Sequence, residues 1–369
     1  MLNVSWRVSG EGPVAEEWDG FMQSSPRGHY LQLTPWLRAY SRYGFGWRLL
    51  TAHDHDTARI VSGMGVVIVR SGPFSCCVCP AGPVVREGYE FLAGPTIEHF
   101  REFSRRAGAV FCQLNTLARR GNTSPYLLDA AVLPQDDSAR AGVVFKEISM
   151  IDKLRLADFS PWNNLEGENW AEAVMNSYSI KKRCNIRRSL KNNLELRHAS
   201  TPEEIRNAYA CIEDNAETQG YNVRRWSEFG PTVIDLVARR QAVILMAGLG
   251  EAVKGAILLI RCGRRFTYLM GGATREKPDL KVGTFLQWHA IRLSRDERFS
   301  AYDMTPGGSP GVVEFKESFN AFNVDSVGPR YWVFRPLMFG LFRLLYPRLR
   351  KHRAGISNAM SSWRAFWHR

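Results

Sequence analysis

"QAVILMAGLGEAVKGAILLIRCGRRFTYLMGGAT", residues 241–274, holds three apolar runs separated by glycine-bearing breaks. The runs are rich in Val, Ile, Leu, Phe and Tyr and too short for ordinary helices, so they read as strands, the first two forming a hairpin around Gly250–Glu251. The neighbouring residues fix their context. "VGTFLQWHAIRLSRDE" (282–297) sets Phe285, Trp288, Ile291 and Leu293 close to one helical face, and "SAYDM" (300–304) returns as a strand. The order is strand, strand, strand, helix, strand.

The first half of the chain repeats that order. "WRLLTAH" (47–53) and "RIVSGMGVVIVRSG" (59–72) are strands joined by a turn, and "FSCCVCPAGPVV" (74–85) is a strand that stops at Pro80. "PTIEHFREFSRRAG" (95–108) is helical between Pro95 and Gly108, and "AVFCQLN" (109–115) is the closing strand. Ahead of them, "GHYLQLTPWLRAYSRYG" (28–44) places Pro35 near the first turn of a helix ending at Gly44. Short echoes such as "YLQLTPW" against "TFLQW" accompany the repeat, but the matched order of elements carries the inference. This order resembles the core of a GCN5-like acyltransferase (GNAT) domain. The expected fold is α/β (α+β), with two tandem GNAT-like acyltransferase domains at 1–160 and 161–335 and a basic amphipathic tail at 336–369.

Three helical stretches lie between the repeats. "WAEAVMNSYSIKKRCNIRRSLKNN" (170–193) combines Trp170, Val174, Ser177 and Tyr178 on one side with a basic run. Thr201 is the expected N-cap of 202–221, and 225–240 is expected to break near Gly230–Pro231. No long heptad segment is present, so no coiled-coil arm is expected.

At 369 residues and 45% hydrophobic, the chain can bury sizeable cores, and its net charge of +13 favours an anionic partner or simply keeps it soluble. The seven cysteines show no second cluster at zinc spacing. In the "CCVC" run, Cys76 and Val78 alternate with Cys77 and Cys79, as small fillers of a strand do, so no metal site is expected. This cysteine usage fits a reducing compartment, and no signal peptide or membrane-spanning run is expected. Walker, dinucleotide, zinc-protease and nucleophile-elbow motifs are absent.

On a helix, "KKRCNIRRSLKNN" (181–193) makes two cationic faces, Arg183–Arg187–Leu190 and Cys184–Arg188–Lys191, suited to phosphate. The longer segment "MNSYSIKKRCNIRRSLKNNLELR" resembles a K-x-R-x-N-I-R-x-A-x-K segment of the Fem-type (FemABX) aminoacyl-tRNA-dependent transferases. "YLQLTPW", "CPAGPVV", "FTYLMGGATRE", "FLQWHAI", "YDM" and "GVVEFKESF" resemble that family's segments in order, over residues 18–330. The chain differs from the family's usual pattern at Asn320–Ala321, where Gly-Gly is common, at Tyr40, where a lysine is frequent, and at Asn115, where an acidic residue is.

The resemblance implies transfer of an amino acid from aminoacyl-tRNA to an amine, most often on a peptidoglycan precursor, with no further cofactor. An activated ester needs no covalent nucleophile, only alignment with the amine and stabilisation of the oxyanion. The resemblance assigns that stabilisation to Lys316, walled by Phe315. Arg183, Asn185, Arg187 and Arg38 are candidate substrate contacts, as are Tyr268 and Asp303 at strand ends; the latter two are equally readable as a core tyrosine and a loop-capping carboxylate. Gln32 and Trp36 read as packing residues. The expected partners are aminoacyl-tRNA and a nucleotide- or lipid-linked muropeptide or other amine; the protein is expected to be a cytoplasmic monomer. An acyl-CoA-dependent N-acyltransferase, a tRNA-dependent transferase acting on a small metabolite and a non-catalytic RNA binder are the alternatives. The tail segment 332–353, with Arg335, Arg343, Arg348, Arg350, Lys351 and Arg353, reads either as a membrane-surface helix or as a helix packed on its own domain.

Overall fold

A computed structural model describes residues 3–351 apart from 122, 123, 137 and 275. The chain builds two large sheets with the same strand plan. The first runs Val4–Ser9, Gly46–Asp54, Ile60–Ser71, Phe74–Cys79, Phe111–Asn115, Pro329–Val333, Arg140–Ala141. The second runs Glu195–Ala199, Ala242–Leu249, Ala252–Cys262, Arg265–Ala273, Ala301–Asp303, Lys153–Asp158, Phe322–Asp325. In both, the fourth and fifth strands are parallel, joined through the helix Ala93–Arg106 or Val282–Asp296, while the other neighbours are antiparallel. The two tandem GNAT-like domains are therefore present, each a full copy of the plan.

The sixth strand of each sheet comes from the other half of the chain. Lys153–Asp158 pairs with Ala301–Asp303 and Phe322–Asp325 in the second sheet, and Pro329–Val333 pairs with Phe111–Asn115 in the first. Boundaries at 160 and 335 thus follow the repeats but not the sheets: 153–158 belongs with the second domain and 329–333 with the first.

Local chemistry explains most of the elements. In Phe74–Cys79, Cys76 and Val78 enter one core and Cys77 and Cys79 another, as the alternation requires. Helix Pro202–Gln219 starts at a complete Thr201–Glu204 capping box and ends at Gly220 in the left-handed region. The stretch 170–193 is two helices, Gly167–Ser177 and Ile180–Leu190. Tyr178 is extended between them, its ring set edge-on against Trp288 and Phe319, and the Ser179 hydroxyl caps the second helix at the Lys182 amide. The expected break at Gly230–Pro231 does not occur, and Trp226–Ala238 is continuous. Pro231 has no N–H for the Ser227 carbonyl, and Arg42 from the first domain donates to that carbonyl instead, at 3.2 Å. Gly230 has no side chain to strike the Trp226 ring lying across it.

The two domains share a seam. Trp36 meets Phe229 edge-on at 5.1 Å. The turn between the third and fourth strands of the second sheet presses into the first domain: the Gly263 amide donates to the Met22 carbonyl, and buried Arg265 donates to the carbonyls of Pro26 (2.8 Å) and Gly28 (2.9 Å). At Gly263, φ is +70°, and a Cβ there would collide with the Gly28 carbonyl oxygen. Gly263→Ala is expected to lower the urea midpoint by the equivalent of at least about 2 kcal/mol. Gly72→Ala, at a turn with φ +55° but open space around it, is expected to cost about 1 kcal/mol. Equal losses in the two variants would show that the seam is not closely packed.

Candidate active site

In the second sheet the parallel pair ends at Thr267 opposite Asp303, although the fourth strand continues to Ala273. A bulge at Leu269, between the pairs Leu258–Met270 and Leu259–Tyr268, bends that strand where its partner leaves. Beyond that point the two strands no longer pair with each other. Tyr268 stands at the point of divergence, and Lys316 reaches it from the helix Pro310–Glu317, its Nζ 5.8 Å from the tyrosine ring centre.

The loop between Asp303 and this helix positions Lys316. Thr305, Gly307 and Gly308 all have positive φ, which glycine adopts freely, so the backbone doubles back. Its carbonyls then point at the ammonium: Lys316 Nζ donates to the Thr305 carbonyl at 2.9 Å and the Gly307 carbonyl at 3.2 Å. Thr305 Oγ1 is a distant third contact at 3.5 Å. An ammonium has three N–H groups. Two are engaged by carbonyls, and the third meets only the long Thr305 Oγ1 contact, which a substrate oxygen could displace. Lys316 is 5% exposed, and burial, aided by the Arg155 charge and opposed by that of Asp303, brings its pKa down to about 8.

Asp303 positions this loop. Its carboxylate accepts from the amides of Arg155 and Thr305 and lies 3.9 Å from Arg265 Nε; burial raises its pKa. It therefore fits the loop-capping reading rather than amine recognition. Arg155, on the strand exchanged from the first half, donates to the Val313 carbonyl and to Glu317, holding the far end of the lysine helix. Where the family's Gly-Gly is common, Asn320 adopts φ +58°, a conformation Asn tolerates, and its amide donates to Ser177.

Phe315 forms a wall, edge-on to Phe319 at 5.4 Å, with its ring edge beside Gly283 at the start of helix Val282–Asp296. Against both rings lies Lys182, its Nζ 4.4 Å from the centre of Phe315 and 3.5 Å from that of Phe319. Lys182 is 4% exposed and its ammonium has no hydrogen-bond or ion-pair partner among the described residues; burial lowers its pKa to about 7. It sits on the third face of the basic helix, Lys182–Ile186–Ser189, which is the buried one. The two cationic faces seen in the sequence turn outward. Arg187 is exposed and Asn185 half-exposed, both without partners among the described residues, while half-exposed Arg183 donates to the Asn176 carbonyl.

Arg38 does not join this group. It pairs with Glu11 in its own domain and with Asp235 across the domain seam. Gln32 bonds the backbone of Gly65 and Trp36 packs in the core, as expected of packing residues. A second cation escaped the sequence reading. Arg224 lies over the rings of Trp36, Tyr40 and Phe229 at 4.9–5.2 Å, and its Nη1 and the Tyr40 hydroxyl are buried with no hydrogen-bond partner among the described residues. Tyr30 lies edge-on to Trp36 at 4.9 Å, and burial, with Asp303 nearby, raises its pKa. The corresponding opening in the first sheet is filled. Gln113 accepts from the amides of Val144 and Phe145, and Asn115 donates to the Ile151 carbonyl. Among the described residues no cluster of His, Cys, Asp or Glu is arranged to hold a metal.

Residues 181–317, from the basic helix to one residue past Lys316, match the acetyltransferase (GNAT) domain family. No curated protein matches the chain in sequence. Among solved structures, FemX superposes with a TM-score of 0.74 at 14% identity, over 91% of this chain and all of FemX. A conserved protein of unknown function from Bacteroides thetaiotaomicron gives 0.56 at 11% identity, over 89% of this chain and all of that one. L-PGS from Bacillus licheniformis gives 0.51 at 12% identity, over 92% and 97% of the two chains. The chain thus has the tandem GNAT-like fold of FemX and carries an acyltransferase domain in its second half.

A lysine whose pKa is lowered by folding weakens the fold most below that lowered value. The penalty shrinks as pH rises from about 7 towards the unfolded value of 10.5. Lys182→Met keeps the stem on the two rings and removes the charge. Setting desolvation against the lost cation–π contact, it is expected to stabilise the protein by roughly 2 kcal/mol at pH 6, and less at pH 9. Urea titrations at both pH values measure this; a loss of stability at pH 6 would contradict it.

Proposed function

We propose that the protein transfers an amino acid from aminoacyl-tRNA to an amine on a peptidoglycan-precursor stem peptide. The observation that carries this reading is Lys316: one buried ammonium, fixed by two carbonyls where two strands part, its third N–H engaged only by the long Thr305 Oγ1 contact. The acceptor nitrogen attacks the ester carbonyl carbon, and the carbonyl oxygen gains negative charge. Lys316 donates its free N–H to that oxygen. As the tetrahedral intermediate collapses, the bond to the tRNA ribose oxygen breaks, that oxygen takes the proton lost by the amine, and an amide remains. No covalent enzyme intermediate is required.

Two features support these substrates. The outward arginines of the basic helix, Arg183, Arg187 and Arg188, suit the tRNA backbone and adjoin the lysine site through Lys182. Arg224 supplies the phosphate contact for a nucleotide- or lipid-linked acceptor, where Tyr40 replaces the family's frequent lysine. Acyl-CoA fits less well, because Phe315 lies against Gly283 at the helix N-terminus where a pyrophosphate would need free amides. A tRNA donor places the reaction in the cytoplasm, and both sites on one chain allow a monomer to act.

Incubation with total charged tRNA and nucleotide-linked muropeptide, read by mass spectrometry, is expected to show addition of one amino-acid residue mass. Lys316→Ala is expected to lower the transfer rate at least about 100-fold while tRNA affinity changes little. Arg224→Gln is expected to raise the acceptor KM about tenfold or more with kcat preserved. Undiminished transfer by Lys316→Ala, or acetyl transfer from acetyl-CoA with no amino acid added, would overturn the reading.

A further inference from the structure

The helix Pro336–Lys351 has two apolar faces. One packs on the first domain. Phe339 and Phe342 both contact Phe111 at 5.3–5.4 Å between ring centres, Phe342 also meets Phe74, and Tyr346 meets Phe145 at 5.7 Å. Residues 339, 342 and 346 fall within one third of the helix circumference. The opposite side carries Leu337, Leu341 and Leu344, which are 92%, 44% and 61% exposed. Burial of the helix on its own domain therefore accounts for the aromatic side only.

The charge on and around this helix is one-sided. From Ser326 to Arg369 the sequence holds eight arginines and one lysine and no Asp or Glu. Arg343 and Arg348 are exposed on the helix, Arg348 in line with the leucines and Arg343 at the flank. We infer that this outer face docks on an anionic lipid bilayer, with the three leucines in the headgroup–acyl boundary and the arginines on lipid phosphates. A second copy of the chain is disfavoured, because self-association would set cationic faces together. RNA would satisfy the arginines but gives aliphatic leucines nothing to stack on. No helix among the described residues is long and apolar enough to cross a membrane, so the helix lies on the surface. Because its inner face is fixed to the first sheet by aromatic packing, docking fixes the orientation of both domains. This inference stands independently of the transfer reaction.

Flotation of the full chain with vesicles of phosphatidylcholine and phosphatidylglycerol at 3:1 tests it. Binding is expected, and at least tenfold weaker binding to phosphatidylcholine alone. Leu337→Ser/Leu341→Ser/Leu344→Ser is expected to lose at least tenfold in partitioning with an unchanged melting temperature, since these side chains are exposed. Arg343→Glu/Arg348→Glu is expected to lose a similar factor, as is wild type in 0.5 M salt. No flotation of wild type, wild-type partitioning by the triple-serine variant, or displacement by equimolar tRNA would overturn the inference. So would a dimer in light scattering that the serine substitutions abolish.

Discussion

An ammonium taken out of water must find acceptors, and the second domain is arranged around meeting that need for Lys316. The parallel strands stop pairing at Asp303, whose carboxylate fixes the Thr305 amide. Three positive-φ residues fold the loop back, and its carbonyls hold Nζ. Each step depends on the one before it. If Asp303 did not hold the loop, the carbonyls would not converge, and a neutral or solvent-seeking lysine would be expected in place of a fixed cation. Beside Lys316, the cations Arg155 and Arg265 flank the buried Asp303 carboxylate, and Arg155 also pairs with Glu317.

The reciprocal exchange of the sixth strands makes the two domains one mechanical body. Arg155 shows the consequence for chemistry: it reaches the lysine helix only because strand Lys153–Asp158 sits in the second sheet. Arg265 works in the other direction, from the second sheet into the loop at Pro26 and Gly28, next to His29 and Tyr30. The first domain, whose own strand opening is filled, supplies Trp36 and Tyr40 to the cage around Arg224, and the second supplies Phe229. In the second copy the parallel strands part beside Lys316, and the first copy packs against it through Trp36 and the loop at Pro26 and Gly28.

The strands of 241–274 were legible because fully buried strands are continuous apolar runs whatever their neighbours. "KLRLAD" and "PRYWV" were not, because what makes them strands is an edge offered by the other half of the chain. The same holds for Pro231, which reads as a helix breaker until Arg42 from the first domain is seen to take the freed carbonyl. Lys316 and Phe315 were singled out through a family resemblance. Asp303 was readable both as a substrate contact and as a capping residue, and it makes the capping bonds, to the Arg155 and Thr305 amides. Lys182 was hidden in a basic run whose outward faces drew attention, although Ile186 already marked its face as the buried one. Arg224 lies in no motif; its role rests on three rings that only the tertiary structure assembles.

In the proposed reaction Lys316 acts as a charged donor, so the most direct measurement is the pH dependence of single-turnover transfer. With tRNA and acceptor saturating, the rate constant for wild type is expected to fall as pH rises through about 8, where the buried ammonium loses its proton. In Lys316→Arg that falling limb is expected to move beyond pH 9.5, at a lower plateau, because a guanidinium keeps its charge. A wild-type rate that stays level or rises from pH 7 to 9.5, with the same profile in the arginine variant, would contradict the assignment.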